Sequence, residues 1–231
     1  VRAAPDRDAP LVRALIEASD PEAGQRLSDE EICHELVLFL LAGHDTTSTT
    51  LAYSLWSLGH SPDIQDRAHA EAAALGTRPL TPEDVPQLAY TVRVLHEALR
   101  LCPPAAGTPR MLNEDVTVDG YRAEAGTMVV VNFYAMHRNP ALWEAPLTFD
   151  PDRFGPERSA GRGRWQYLPF GGGPRSCVGD HFAMLEATLA LATIVREVSV
   201  ESLTDDFPVE TPFTVIAAAP VPARIIRRRT P

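Results

Sequence analysis

Phe170-Gly171-Gly172-Gly173-Pro174-Arg175-Ser176-Cys177-Val178-Gly179 is the stretch on which the reading of this chain turns. Glycine admits positive φ and lets a flat ligand approach the backbone closely. The cysteine stands just before a predicted helix, where the dipole and the free N–H groups favour a thiolate. Arg175 adds a cation two residues away. The segment is suited to holding a thiolate. A cysteine met alone is more often a small buried hydrophobe. A nucleophilic cysteine would need a His–Asn pair, and none stands out.

Outward from this loop, a helix is expected from Gly179 to about Val198. Upstream, residues 139–173 are rich in Pro, Gly and Arg and show little periodicity. Thr127 to Phe133 reads as a buried strand, and Asp119-Gly120 marks a hairpin between Val116–Val118 and Tyr121. A helix from about Gln87 to Leu101 stops at Pro103-Pro104, and Pro79, Pro82 and Pro86 mark a loop with one short turn. A polar, Ala-rich helix is expected from about Asp63 to Ala74. Before it lies the longest element. Ser28 and Glu31 have capping-box spacing, Asp29 and Glu30 add acid to the first turn, and no proline follows before Gly59. A helix of that span is about 46 Å long. Ser61-Pro62 ends it. Leu11, Leu15 and Ile16 predict a further helix within residues 1–27, and residues 213–226 read as two short strands separated by Pro220 and Pro222. The order is mainly α with a minor β component, in one domain over residues 1–231 and without internal repeats.

Two other constellations carry chemistry. Glu97 and Arg100 are three apart on one helix face; alone they would be a surface ion pair of little value. Ala42-Gly43-His44-Asp45-Thr46-Thr47 lies inside the long helix. Gly43 weakens a helix and so needs a reason. Ala42 and Thr46 share a face with almost no side-chain bulk, against which a flat macrocycle could lie. A threonine hydroxyl bonded back to the carbonyl four residues earlier would bend the helix there.

The glycine-rich segment resembles the haem-binding signature of the cytochrome P-450 superfamily, Phe-x-x-Gly-x-Arg-x-Cys-x-Gly, at Phe170, Gly173, Arg175, Cys177 and Gly179. The other two constellations resemble the family's I-helix and K-helix patterns, in family order. Pro151-Asp152-Arg153-Phe154 matches its Pro-x-Arg-Phe segment. The resemblance implies the family's fold, truncated on its N-terminal side, with heme b held by an axial thiolate from Cys177. That thiolate pushes electron density toward O–O cleavage. Phe170, Gly171 and Gly179 would complete the loop, and Arg175 and Arg110 would pair with haem propionates. Ala42 and Gly43 would lie against the macrocycle. Thr46 would hydrogen-bond dioxygen or a water beside it, and Asp45 would feed protons through water. Glu97, Arg100 and Arg153 are implied to brace the cysteine loop, without a catalytic part. Ala105, Ala106, Gly107 and Phe213 match substrate-facing loops. Arg158, Arg162 and Arg164 suit either a basic face for an acidic electron donor or a solvated cluster. His44 and His137 read as polar contacts, and Cys33 and Cys102 as packing residues.

The implied activity is insertion of one oxygen atom from O2 into an organic substrate, with electrons from a ferredoxin or flavoprotein reductase. The alternatives are a haem-thiolate peroxygenase and a non-catalytic haem-binding fragment, since the resemblance reaches only the C-terminal half of the family's fold. A formal net charge of -10 argues against a nucleic-acid partner. The basic tail Arg227-Arg228-Arg229 reads as a solvated end. Three cysteines are too few for a disulfide framework and fit a reducing compartment, hence a cytoplasmic location. No stretch is long and apolar enough to span a membrane, and the chain begins with Val1 rather than Met.

Overall fold

The computed structural model describes residues 8–19 and 24–228. By internal packing the chain falls into two units, residues 1–44 and 45–231, with the division inside one helix.

In the first unit, α1 (Pro10–Glu17) opens on a proline, whose missing N–H costs nothing at that position. Part of the helix expected within residues 1–27 lies outside the described residues. The second helix, α2 (Asp29–Gly59), begins at the predicted capping box. Ser28 Oγ accepts from the Glu31 amide at 3.3 Å, and the Glu31 carboxylate accepts from the Ser28 amide at 2.7 Å. Cys33 is exposed, which corrects its expected packing role. It falls on the solvent side of the first turns, while Ile32 takes the buried position.

The second unit holds the rest of α2, then α3 (Pro62–Ala73) and α4 (Ala89–Leu101). Strands β1 (Gly107–Met111), β2 (Val116–Val118), β3 (Tyr121–Ala123) and β4 (Met128–Asn132) follow. Next come the short helices α5 (Phe133–Met136) and α6 (Pro156–Ser159), and the long α7 (Asp180–Glu197). Strands β5 (Val198–Ser202), β6 (Val209–Glu210), β7 (Ile216–Ala217) and β8 (Ala223–Arg227) close the chain. The core packs Ala68 and Ala72 of α3, Val94 and Leu95 of α4, and Ala187, Leu191 and Val195 of α7 against Leu58 and Leu88. Each large apolar side chain in it contributes about 1.5–3 kcal/mol. Alanines on α3 face α7, so the two helix backbones can lie close together.

Sheets are small, antiparallel and two-stranded: β1–β4, β2–β3, β5–β8 and β6–β7. The predicted hairpin forms, with Asp119 at φ 49° and Gly120 at φ 82° supplying the left-handed pair that a tight turn needs. β4 is found where a strand was expected, but Met128, Val130 and Val131 are exposed. Its apolar run was read as burial, whereas β4 pairs only with β1 and most of the strand faces solvent. The two C-terminal strands also form, yet they do not pair with each other. β7 pairs with β6 and β8 with β5, with the two prolines in the connection between β7 and β8. Gln65 of α3 locks β5 in place, donating to the Leu58 and Val200 carbonyls and accepting from the Val200 amide at 2.7 Å. Arg228 is anchored rather than solvated: it pairs with Asp66 at 2.9 Å. No helix among the described residues is long and apolar enough to cross a membrane.

Candidate functional site

The cysteine loop joins the irregular segment after α6 to the start of α7. Gly171 and Gly173 both have φ of 72°, a conformation that only glycine adopts without strain. These two positive-φ residues curl the chain so that the Cys177 amide donates back to the Phe170 carbonyl at 2.8 Å. The Gly171 amide closes on Leu168 O at 3.2 Å, and the Ser176 amide on Gly173 O at 3.1 Å. Cys177 is exposed and free, three residues ahead of the first residue of α7. Arg175 ends a 3-10 turn, Gly173–Arg175, and makes no side-chain hydrogen bond or ion pair among the described residues. Val178 and Phe182, beside the thiol in sequence, are 87% and 69% exposed.

A buried ionic cluster joins α4 to the segment that precedes the loop. Glu97 and Arg100, one turn apart on α4, are both wholly buried. Arg100 donates Nε to Glu97 Oε2 at 2.7 Å and Nη2 to Oε1 at 2.8 Å. Its remaining donors reach the carbonyls of His137, Pro146 and Thr148. Arg153 joins from the 3-10 turn Pro151–Phe154, with Nε 3.2 Å from Glu97 Oε1 and its other nitrogens on the Glu144 and Ala145 carbonyls. The Asp150 amide adds a fourth bond to the carboxylate at 2.9 Å. One carboxylate thus holds two guanidiniums, and five carbonyl dipoles absorb the surplus positive charge. Each side-chain nitrogen of Arg100 and Arg153 has at least one acceptor, and such hydrogen bonding is what makes a buried ion cluster tolerable. The partners of the cluster outside itself are backbone groups, an arrangement that suits the bracing role the resemblance implies.

The link from cluster to loop was not legible in the sequence. His137 is wholly buried, and its Nε2 accepts the Leu168 amide at 2.9 Å. Burial, helped by the charges of Arg100 and Arg138, pushes its imidazole down to about 4. It is a polar contact, as expected, but one that spans two segments. Next to it, Tyr167 donates its hydroxyl to the His96 carbonyl at 2.9 Å, with His96 Nδ1 at 3.0 Å. Burial pushes His96 down to about 4 as well, and Tyr167 well above the usual phenol value. No local motif announces these pairings, because the partners are 31 and 71 residues apart.

Other predicted positions divide. Ala42, Gly43 and His44 belong to the first unit, Asp45 and Thr46 to the second. A hydroxyl back-bond of the expected kind is found at Thr50, whose Oγ1 donates to the Thr46 carbonyl at 2.9 Å. Arg110 lies on exposed β1 and donates to Thr108 Oγ1 and the Pro109 carbonyl. Gly107 matches a substrate-facing loop of the family. In the fold a Cβ there would meet the Val131 carbonyl at 2.7 Å, so strand pairing accounts for it. Phe213 is 96% exposed. Arg158 pairs with Asp150, and Arg162 stacks over Phe154 and Trp143 while donating to the Arg153 carbonyl, so these two arginines are largely engaged within the fold. Cys102 is buried, and burial pushes its thiol up to about 11.

The donor set suits a haem. Among the described residues no group of three or more His, Cys, Asp or Glu could hold a metal ion. An iron held at Cys177 would take one protein sulfur, a donor set that suits a metal already bound in a macrocycle. A loop with an exposed thiol, flanked by exposed apolar side chains and an uncommitted arginine, offers the surface such a group needs. A family model described as cytochrome P-450 matches residues 2–227. The chain belongs to the cytochrome P-450 family. Two Streptomyces melanosporofaciens relatives agree: cyclooctatin synthase, 46% identical over 80% of this chain and 40% of that protein, and cyclooctat-9-en-7-ol 5-monooxygenase, 40% identical over the same shares. The solved cytochrome P450DA heme domain superposes with a TM-score of 0.88 at 35% identity, over 93% of this chain and 49% of that one. The chain thus spans about two fifths of these curated relatives and about half of that heme domain. Membership of the cytochrome P-450 family implies haem.

Proposed function

We propose that this chain is the haem-binding part of a haem-thiolate monooxygenase, with Cys177 as the axial ligand, and that residues 1–231 form one partial domain of the family fold. The observation that carries the reading is the Cys177 loop: a free, exposed thiol held on two left-handed glycines, with the Cys177 amide bonded to the Phe170 carbonyl. When bound, haem supplies activation of O2 for insertion of one oxygen atom into an organic substrate. The protein supplies the rest. Phe170, Gly171 and Gly179 shape the loop, and a Cβ on Gly179 would stand in ordinary contact with the Cys177 sulfur, at 4.0 Å. Arg175 and Arg110 are the cations for the propionates. Arg110 can exchange its two local acceptors for a carboxylate. Ala42 and Gly43 give the helix a face without bulk. Asp45 and Thr46 move protons, Thr46 through its hydroxyl and Asp45 through water. Electrons come from a ferredoxin or a flavoprotein reductase, and the protein acts in the cytoplasm without a nucleic-acid partner.

The test is isotopic. The haem-loaded protein, supplied with reduced ferredoxin or a flavoprotein reductase under 18O2, should place one labelled atom in each product molecule. Label arriving only from labelled hydrogen peroxide, without need of a donor, would identify a peroxygenase instead. Haem binding without any product would reduce the reading to a haem-binding fragment.

A further inference from the structure

Three backbone hydrogen bonds of the sulfur loop stay within residues 168–177, and at its exit the Gly179 carbonyl accepts the Ala183 amide of α7. Its entry is held by one residue outside it. His137 offers two atoms to two different segments. Its backbone carbonyl accepts Arg100 Nη1 at 2.8 Å, inside the ionic cluster on α4. Its ring Nε2 accepts the Leu168 amide at 2.9 Å. Leu168 in turn accepts the Gly171 amide, and Phe170, two residues after Leu168, accepts the Cys177 amide. A continuous run of hydrogen bonds and short covalent steps therefore leads from the buried Glu97–Arg100 pair through His137 to the cysteine.

We infer that His137 is a positioning residue for the Cys177 sulfur: its ring couples the buried cluster to the loop and holds the sulfur in the geometry that binds iron as a thiolate. The inference rests on Cys177 being the ligand. The ring is neutral at ordinary pH, because burial and the cations Arg100 and Arg138 disfavour its charged form. Since Nε2 accepts from an amide, the proton of the neutral ring sits on Nδ1. That Nδ1 is buried and has no partner in the structure. The ring thus leaves one donor unsatisfied while keeping the bond to Leu168. Phe133, Trp143 and Tyr167 pack around it, with ring centroids 5.2–6.5 Å away. A purely hydrophobic ring would satisfy that packing without an orphaned donor.

Two variants separate the bond from the packing. His137→Phe keeps an aromatic ring and loses the acceptor; His137→Gln gives up the ring and offers a carbonyl that can accept the Leu168 amide. Both are compared with Cys177→Ser in the haem-loaded protein. Hydrogen exchange at the Leu168 amide should be roughly tenfold to a hundredfold faster in His137→Phe, and close to wild type in His137→Gln. The reduced carbon monoxide complex of His137→Phe should carry a smaller share of the red-shifted thiolate band at equal haem content, with the share restored in His137→Gln. A full thiolate band in His137→Phe, or loss of the band in both variants alike, would overturn the positioning role. Should Cys177→Ser keep the wild-type band, the ligand assignment itself fails, which is a separate outcome from either result at His137.

Discussion

Replacing Glu97 with Gln tests the buried cluster most severely. The substitution changes one atom and little volume. Glu97 accepts four bonds: three at Oε1, from Arg100 Nη2, Arg153 Nε and the Asp150 amide, and one at Oε2, from Arg100 Nε. A glutamine oxygen does best in the Oε1 position, where it keeps the three. Its NH2 group then faces the Arg100 Nε–H, donor against donor. The carboxylate charge is lost too, and two guanidiniums that are 0% and 5% exposed lose their counter-ion. Stranding buried charge in this way costs about 3–5 kcal/mol. A domain has only about 5–15 kcal/mol in total. The variant should therefore lose a large part of its stability and much of its haem, while any fraction that folds keeps its chemistry per haem. Urea unfolding followed by circular dichroism, together with haem content per protein, checks this. A Glu97→Gln protein that unfolds within about 1 kcal/mol of wild type and is fully haem-loaded but inactive would refute the structural reading.

Three further outcomes follow from particular residues. Thr46→Ala removes a hydroxyl and little volume, so haem should be retained while peroxide release rises relative to product; unchanged coupling would remove Thr46 from oxygen activation. A Cβ on Gly43 would meet nothing within 4 Å, so Gly43→Ala should stabilise α2 in the haem-free protein by up to about 1 kcal/mol yet lower haem affinity in a titration; equal affinity would detach Gly43 from the macrocycle. His96 and His137 are both held at about 4 in the fold, below the ordinary value of about 6.5. Between those limits the unfolded chain binds more protons, so stability should fall as pH drops from about 7 toward 4, by at most about 3 kcal/mol per histidine. The urea midpoint of His137→Phe should depend less on pH over that window than that of wild type; an identical dependence would mean that His137 does not titrate in this way.

The long helices were legible because their signals are local, whereas the four-residue α5 and α6 left no periodic signal. The ends of α2 are set by a capping box and by Ser61-Pro62, and the observed helix, Asp29–Gly59, has the expected limits. The β2–β3 turn was legible for the same reason, since Asp119-Gly120 supplies its own left-handed pair. What depends on distant partners was not. β5 and β6 escaped notice because a two- or five-residue strand becomes one only by finding its neighbour. The exposure of β4 has the same origin: period and composition report apolarity, not whether another layer covers it. At the site, spacing placed Cys177 on its loop, and the resemblance supplied the Glu97–Arg100–Arg153 cluster that the fold shows. The attachment of that loop through His137 needed coordinates, because a histidine among aromatic residues gives no sign in one dimension of which amide it will meet.

The ligand assignment can be tested by changing each cysteine in turn. Cys177 is exposed on the glycine loop, Cys33 is exposed on the first turns of α2, and Cys102 is buried at the end of α4. Each is replaced by Ser in the haem-loaded protein, which is then reduced and exposed to carbon monoxide. Cys177→Ser should abolish the red-shifted thiolate band, while Cys33→Ser and Cys102→Ser keep it. A band that survives Cys177→Ser, or disappears only with Cys33 or Cys102, would contradict the account.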